Sequence, residues 1–240
     1  YLGDSEGFNA SVDWNKGPLK GTATDNAATA PDESTTATLL VEDTQSGGRY
    51  IANGYNFVAN RTYTLSCWAK QYSNTGTQDR HFGLLFNSVS FGPTNQTVVF
   101  NLTDGSFTIS GNQPPTATIE AFPNGWYRCS LTATATITAN SGIQFRLTAN
   151  PTDMTAVWTG DGVSGIYIWG AQLEESSTLG EYVKTTGTLL NSAPRFDHDP
   201  VTGESLGLLV EEARTNLVTY SVANIGNGWI NSSGQDPVNL

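Results

Sequence analysis

Residues 61–71 read RTYTLSCWAKQ, and this stretch decides the fold class. Its side chains fall into two alternating sets. The first set is Tyr63, Leu65, Cys67 and Ala69, and the second is Thr64, Ser66, Trp68 and Lys70. A period of two is typical of a β-strand, and the alternation predicts a sheet with one buried face, in which the first set lies against a hydrophobic core.

Short runs of the same kind recur along the chain and are separated by Gly, Pro, Asn and Asp. They are residues 38–42, 50–52, 81–87, 97–102, 107–110, 126–135, 143–147 and 165–174. Asp104-Gly105 lies between two of these runs and predicts a hairpin turn. Residues 1–35 are polar and rich in turn residues, and no window carries a helical period. About nine short strands predict an all-β fold, a β-sandwich of the jelly-roll type.

Composition excludes several classes of function. The 240 residues carry a formal net charge of −11, which argues against a nucleic-acid surface because phosphate binding needs clustered Lys and Arg. No apolar run is long enough for a membrane span or a signal peptide. The chain begins at Tyr1 without a methionine, so we expect it to be a piece of a longer protein.

Two cysteines do not make a disulfide framework. Cys67 and Cys129 both lie in the middle of predicted strands, on faces that we expect to be buried. Buried free thiols behave as small apolar groups, and this interpretation is favoured. A disulfide is the alternative if the two strands are neighbours.

Aromatic residues are the first candidates for a binding site, because a sugar ring packs its C–H groups on an aromatic face. The candidates are Trp68, Trp126, Trp158, Tyr167 and Trp169. Alternation places Trp68, Trp126 and Arg128 on the side away from the core, with Lys70 beside Trp68. These four form the predicted glycan site. The alternative is that the rings are packed and purely structural.

Catalytic and metal sites are less well indicated. Glycoside hydrolysis needs two carboxyl groups across a cleft, and the acidic residues show no spacing that selects a pair. They are Glu120, Asp153, Asp161, Glu174 and Glu175. We therefore expect no enzyme activity and no cofactor. Asp197-His198-Asp199 fits turn chemistry better than a metal site. A structural Ca²⁺ ion is an open option, with Asp4, Glu6, Asp32 and Asp43 as ligand candidates.

A short connector follows the predicted sandwich. Residues 193–217 read APRFDHDPVTGESLGLLVEEARTNL, with turn residues at 199–203 between two short runs, which predicts a β-hairpin. We therefore divide the chain into a sandwich at 1–188, a connector at 189–217 and, at 218–240, either the start of a second module or a packing tail. So small a hairpin needs partners to bury Leu206, Leu208 and Val210. We expect a homo-oligomer, with a trimer favoured.

The connector also resembles a segment that recurs in tail-fibre and other appendage proteins of bacteriophages, between jelly rolls similar to carbohydrate-binding modules. The resemblance rests on Arg195-Phe196-Asp197, on residues 207–211 and on residues 213–217. Residues 124–128, 165–175 and 182–188 resemble those modules, as do the shorter pieces 30–32 and 63–66. The resemblance implies a carbohydrate-binding-module-like or lectin-like fold for most of residues 1–188.

The resemblance implies a non-enzymatic virion protein, a fibre or a head or tail decoration on the particle surface, that binds other virion proteins and host surface glycans. The composition, as stated above, predicts no nucleic-acid partner and no membrane insertion. Two alternatives stay open. One is a carbohydrate-binding module of a polysaccharide-degrading enzyme with its catalytic domain outside this chain, and the other is a spacer without a ligand.

Overall fold

The computed structural model describes residues 4–17, 19–72, 78–113 and 115–186, and the backbone of two short strands further on. The chain divides into two compact units, Tyr1–Leu190 and Asn191–Leu240. No helix in these described parts is long and apolar enough to span a membrane.

The first unit is built almost wholly from strands. In chain order they are β1 (Gly21–Ala28), β2 (Ala37–Glu42), β3 (Ser46–Gly47), β4 (Arg49–Phe57), β5 (Thr62–Tyr72), β6 (His81–Phe86), β7 (Gln96–Phe100), β8 (Phe107–Ser110), β9 (Thr116–Phe122), β10 (Trp126–Thr134), β11 (Ala139–Thr148), β12 (Trp158–Thr159) and β13 (Gly165–Glu174). One helical turn, α1 (Ser88–Phe91), and a 3₁₀ turn (Pro123–Gly125) complete it.

Two antiparallel sheets contain nearly all of these strands. The first sheet has the order β1-β2-β13-β5-β10-β9, and the second has the order β4-β11-β6-β7-β8. Strands β3 and β12 pair with each other as a separate two-stranded ribbon. The predicted all-β sandwich is therefore confirmed, and all nine predicted strands are present.

The main core lies between the two sheets. Tyr63, Leu65, Cys67 and Ala69 of β5 all belong to it, as the alternation of residues 61–71 predicts. Aromatic side chains supply much of its volume: Phe8, Trp14, Phe57, Phe82, Phe86, Phe91, Phe100 and Phe145. Many of these rings meet edge to face, the geometry that the aromatic quadrupole favours.

The opposite face of β5 is buried as well, which corrects the expectation of one buried face. Thr64 and Ser66 are inaccessible to solvent, and Trp68 is nearly so. Residues 176–185, which follow β13 and are called the strap here, lie over this face. The Thr64 hydroxyl donates to the Ser176 carbonyl at 2.9 Å, and both groups of the Gln172 side-chain amide bond to strap backbone.

Two strands of the first sheet were not predicted. β1 and β9 are its edges, and each alternates between exposed and partly buried residues without a fully buried position. An edge strand buries little apolar surface, so its sequence carries a weak hydrophobic signal. β1 falls in the stretch that its polar composition assigned to turns.

The second unit contains an antiparallel pair, β14 (Phe196–His198) and β15 (Ser205–Leu208), which confirms the predicted hairpin. The turn at 199–203 and Val210 lie outside the described residues, as does the segment 218–240. The proposed boundaries at 188 and 217 and the further module stay predictions.

Candidate functional site

The predicted glycan site lies on the outer face of the first sheet, where the strand register brings its four residues together. Trp68 on β5 lies opposite Arg128 on β10, and Lys70 lies opposite Trp126. On its other side, β5 pairs with β13, which places Trp169 opposite Trp68. The prediction that these side chains share one outward direction is confirmed.

The rings at this site are nevertheless packed rather than open. Trp68 is 4% exposed and Trp126 is 1% exposed. With Ala30, Ala37 and Trp169 they form a second hydrophobic cluster, called the Trp68 cluster here. The predicted alternative, structural packing, therefore describes both rings. Lys70 stays partly exposed, and glycan binding by these residues stays a prediction.

The strap covers the Trp68 cluster. The Tyr182 ring centroid lies 4.7 Å from that of Trp169 and 5.3 Å from that of Trp68. The Tyr182 hydroxyl is anchored to the N-terminal segment by Ser5 Oγ at 2.7 Å and by Glu6 Oε1 at 3.1 Å. Burial raises the pKa of Tyr182, so the hydroxyl stays protonated and donates. Chain from both ends of the unit therefore covers the Trp68 cluster.

Arg128 is the polar member of this predicted site. Its guanidinium carbon lies 4.4 Å from the centroid of the Trp68 ring, and its Nε and Nη2 are buried without a hydrogen-bond partner among the described residues. Burial lowers the pKa of Arg128, whereas the nearby carboxylates of Glu174 and Glu120 raise it. Two acids already supply countercharge to this guanidinium, so the position does not favour an anionic ligand.

The outer face of the second sheet presents a different set of side chains. Arg146 on β11 lies opposite Tyr50 on β4 and opposite Gly83 on β6. Gln144 lies two residues before Arg146 on the same face of β11. His81 lies two residues before Gly83 on β6 and faces the same side of the sheet. We call Tyr50, His81, Gly83, Gln144 and Arg146 the Arg146 surface.

Three of these groups form a compact arrangement. The Arg146 guanidinium carbon lies 4.6 Å from the centroid of the Tyr50 ring, within the range of a cation–π contact. Arg146 Nη1 donates to Gln144 Oε1 at 2.6 Å. Tyr50 and Gln144 are both partly exposed. An aromatic ring, an amide and a guanidinium side by side are typical of sites that bind sugars or other polar ligands.

The rest of the Arg146 surface is shaped by a neighbouring loop. Met154 packs with Leu85 and Val99 in a third hydrophobic cluster, and it lies over Gly83, where an added Cβ would approach the Met154 methyl to 2.8 Å. Burial lowers the pKa of Arg146, and it also lowers the pKa of His81. His81 is therefore mostly neutral near pH 7, whereas Arg146 keeps its charge.

Sequence reasoning missed the Arg146 surface although a signal was present. Residues 143–147 alternate between apolar and polar, which assigns Gln144 and Arg146 to the face away from the core. Nothing in that alternation indicates that Tyr50, far away in sequence, lies under the guanidinium. Tyr50 fell in the weakest of the predicted strands.

The other aromatic candidates have structural contacts. Trp158 lies against Arg49, with 4.4 Å between the guanidinium carbon and the ring centroid, and its indole N–H donates to Glu42 Oε2 at 2.9 Å. Tyr167 meets Tyr72 edge to face at 5.5 Å. Trp158 therefore belongs to a buried polar network around Glu42.

Four of the five acidic candidates are engaged in local bonds, whereas Glu120 is exposed on β9. Asp153 accepts from Thr155, Asp161 accepts from Ser164, Glu174 accepts from Gly180 and Glu175 pairs with Arg61. Each of these bonds holds a loop or joins a strand end to its neighbour.

The four calcium candidates are likewise bonded to nearby groups. Asp4 accepts from two backbone amides, Glu6 binds Lys184 at 2.7 Å, Asp32 accepts from Ser34, and Asp43 accepts from Gln45. Within the described part of the chain, no group of three or more His, Cys, Asp or Glu side chains is placed to hold a metal ion.

Cys67 and Cys129 lie directly opposite each other on β5 and β10. Both are free thiols in the main core. Burial raises the pKa of both thiols, so neither is a ready nucleophile.

No protein-family model and no curated protein sequence matches the chain. Among solved structures, the chain is similar to the carbohydrate-binding module TmCBM61 in complex with β-1,4-galactotriose, with 10% identity and a TM-score of 0.38 over 69% of this chain and 90% of the other. It is also similar to the enzymatically active domain of bacteriophage CBA120 tailspike protein 4, with 16% identity and a TM-score of 0.37 over 72% of this chain and 20% of that one. At these low identities and TM-scores the two likenesses identify no family.

Proposed function

We propose that this chain is a non-enzymatic carbohydrate-binding module that serves in adhesion, and that the Arg146 surface is where it binds a glycan. The observation that carries this proposal is the contact of the buried Arg146 guanidinium with two partly exposed side chains, Tyr50 and Gln144. The Tyr50 ring provides an apolar face for sugar C–H groups, and the amide and guanidinium provide donors for sugar oxygens.

A comparison of the two outer faces supports this choice. On the first sheet, the Trp68 cluster is closed by the strap, so a sugar would have to displace Tyr182 to reach Trp68. On the second sheet, Tyr50 and Gln144 reach solvent without any rearrangement. On the first face, Lys70, Phe122 and Tyr167 stay partly exposed, and Glu120 is exposed.

The test is a glycan array followed by affinity electrophoresis of three variants. Tyr50→Ala should weaken binding at least about fivefold, as loss of an interface tyrosine typically does. Tyr72→Ala is the matched control, because Tyr72 is also a partly buried tyrosine but lies on the first sheet. Lys70→Ala tests the site that the sequence predicted. Binding that survives Tyr50→Ala but is lost in Lys70→Ala would move the site to the first sheet.

The non-enzymatic part of the proposal has its own measurement. Incubating the chain with each glycan that it binds should release no new reducing ends. Release that disappears when a single carboxylate is replaced would contradict the proposal.

We also propose that the module belongs to a phage appendage on the virion surface, where it contacts other virion proteins. The resemblance of residues 193–217 to an appendage connector supports this, and the β14–β15 pair has the hairpin form that such a connector needs. Neighbouring structural genes of a virion would support it, and a neighbouring polysaccharide-degrading domain would favour the alternative. Light scattering on the purified chain should give a trimer, and a monomer would contradict the expected assembly.

A further inference from the structure

We propose that the sugar bound at the Arg146 surface carries a carboxylate, as uronic acids do, and that Arg146 is the residue that selects it. This inference rests on the proposed function and adds the class of glycan. It follows from the lack of an ion pair at Arg146, from the terminal nitrogens of its guanidinium that have no described partner and from the glycine beside it.

Arg146 is distinguished from most of the described arginines because it forms no ion pair with a described carboxylate. Arg49, Arg61 and Arg80 each form an ion pair with a carboxylate. Arg146 is only 8% exposed, its hydrogen-bonded partner is the neutral amide of Gln144, and its Nε has no partner among the described residues. A buried charge without a partner is unfavourable. A carboxylate ligand would remove that cost, and a neutral sugar would not.

Arg128 shares this lack of an ion pair but differs in its surroundings. Glu174 and Glu120 both act on its charge, and the strap closes the face on which it lies. A single acid, Asp153, acts on the charge of Arg146, against two on Arg128, and its carboxylate is bonded to Thr155 rather than paired with the guanidinium. Of the two arginines, Arg146 is therefore the one that an added carboxylate would suit.

The geometry leaves the terminal nitrogens of Arg146 available. Nη1 has a second N–H besides the one directed at Gln144, and Nη2 makes no hydrogen bond with a described residue. A guanidinium binds a carboxylate through two parallel N–H bonds, which an ammonium does not reproduce. Gly48 lies beside Nη2, and a Cβ at that position would come within 3.2 Å of this nitrogen, so a larger residue would crowd the guanidinium.

The net charge of the whole chain makes this recognition a short-range one. At −11 the protein does not attract polyanions over a distance. Binding of an acidic glycan must therefore depend on the local contact with Arg146, so a single substitution there should have a large effect.

The experiment uses the full 240-residue chain in affinity electrophoresis. The gels contain polygalacturonate, alginate or hyaluronate, each beside its carboxyl-reduced neutral derivative, and dextran sulfate serves as a carboxylate-free polyanion. At least one uronate should retard the chain, its reduced derivative should not, and dextran sulfate should act more weakly.

Variants then assign the effect to one residue. Arg146→Gln and Arg146→Lys should both weaken uronate binding by about tenfold or more, because the charge-assisted pair of N–H bonds is lost. Gly48→Ala should weaken it as well. Arg61→Gln is the control, an arginine outside both candidate sites that is paired with Glu175, and it should leave binding unchanged. Unchanged unfolding curves show that the variants are folded.

The outcomes separate the two proposals. Equal binding of a uronate and its reduced derivative, or stronger binding of dextran sulfate, overturns the carboxylate inference and leaves glycan binding intact. Uronate binding that is insensitive to Arg146→Gln overturns the role of Arg146. Failure to bind any glycan, neutral or acidic, on the array overturns the proposed function itself.

Discussion

Replacing Gly170 with alanine tests whether the outer face of the first sheet is closed by packing. Gly170 lies at the irregularity between β13 and β5, with a φ of +65°, in the left-handed region. A Cβ there would lie 2.9 Å from Trp68 Cε3 and 3.3 Å from the Tyr182 ring. The substitution therefore combines backbone strain with a collision inside the Trp68 cluster.

Alanine substitutions at two further glycines separate the backbone strain from the steric collision. Gly125 has a φ of +79°, and a Cβ there would find nothing closer than Lys70 Cε at 4.0 Å. Gly142 has no positive φ, and its Cβ would lie 3.9 Å from the Asn53 carbonyl oxygen. Gly125→Ala therefore reports strain alone, and Gly142→Ala reports neither effect.

The expected losses in the free energy of unfolding follow from these environments. Gly142→Ala should change it by less than about 1 kcal/mol. Gly125→Ala should cost about 1–2 kcal/mol, the cost of a left-handed L-residue. Gly170→Ala should cost that amount and about 1–3 kcal/mol more, since Trp68 or Tyr182 must move. Urea unfolding followed by tryptophan fluorescence measures all three. Equal losses for Gly170→Ala and Gly125→Ala would show that the strap does not pack on Trp68.

Three other changes have defined outcomes. Tyr182→Phe removes the hydrogen bond to Glu6 and should cost about 1–3 kcal/mol in urea unfolding, and no loss would contradict the anchoring of the strap. Glu42→Gln leaves the buried Arg80 guanidinium without its 2.6 Å carboxylate partner and should cost about 3–5 kcal/mol, whereas a loss below about 1 kcal/mol would refute the network. Burial lowers the pKa of His81 in the folded chain, so as the pH falls the unfolded chain binds a proton at His81 before the folded chain does. The free energy of unfolding should therefore decrease below about pH 6.5. His81→Gln should make this decrease with pH less steep.

The strand pattern was predictable because it depends on neighbours in sequence. The alternation in residues 61–71 assigned Tyr63 and Leu65 to the core, and both are buried there. The outer layer was not predictable in the same way. Trp68 is covered by Tyr182, more than a hundred residues later, and no local pattern shows that the strap folds back over β5.

The same limit explains why the sequence did not predict the candidate site on the second sheet. Alternation assigned Trp68 and Arg128 to one direction and the register confirmed it, but burial depends on what packs above them. Arg146 could not be predicted as a site residue, because its aromatic partner Tyr50 lies on β4, which pairs with β11 only in the folded sheet. The cysteines show a different case: their strands are neighbours, which was the condition for the alternative of a disulfide, and both thiols are nevertheless free and buried, as the favoured interpretation expects.

Binding at the Arg146 surface is tested most directly by an NMR titration of the isotope-labelled chain with the tightest-binding oligosaccharide from the array. The signals of the Arg146 side-chain N–H, the Gln144 amide and the Tyr50 ring should change in chemical shift. The indole N–H signals of Trp68 and Trp126 should stay unchanged. Shifts concentrated on those two indoles, with Arg146 unaffected, would contradict the assignment of binding to the second sheet.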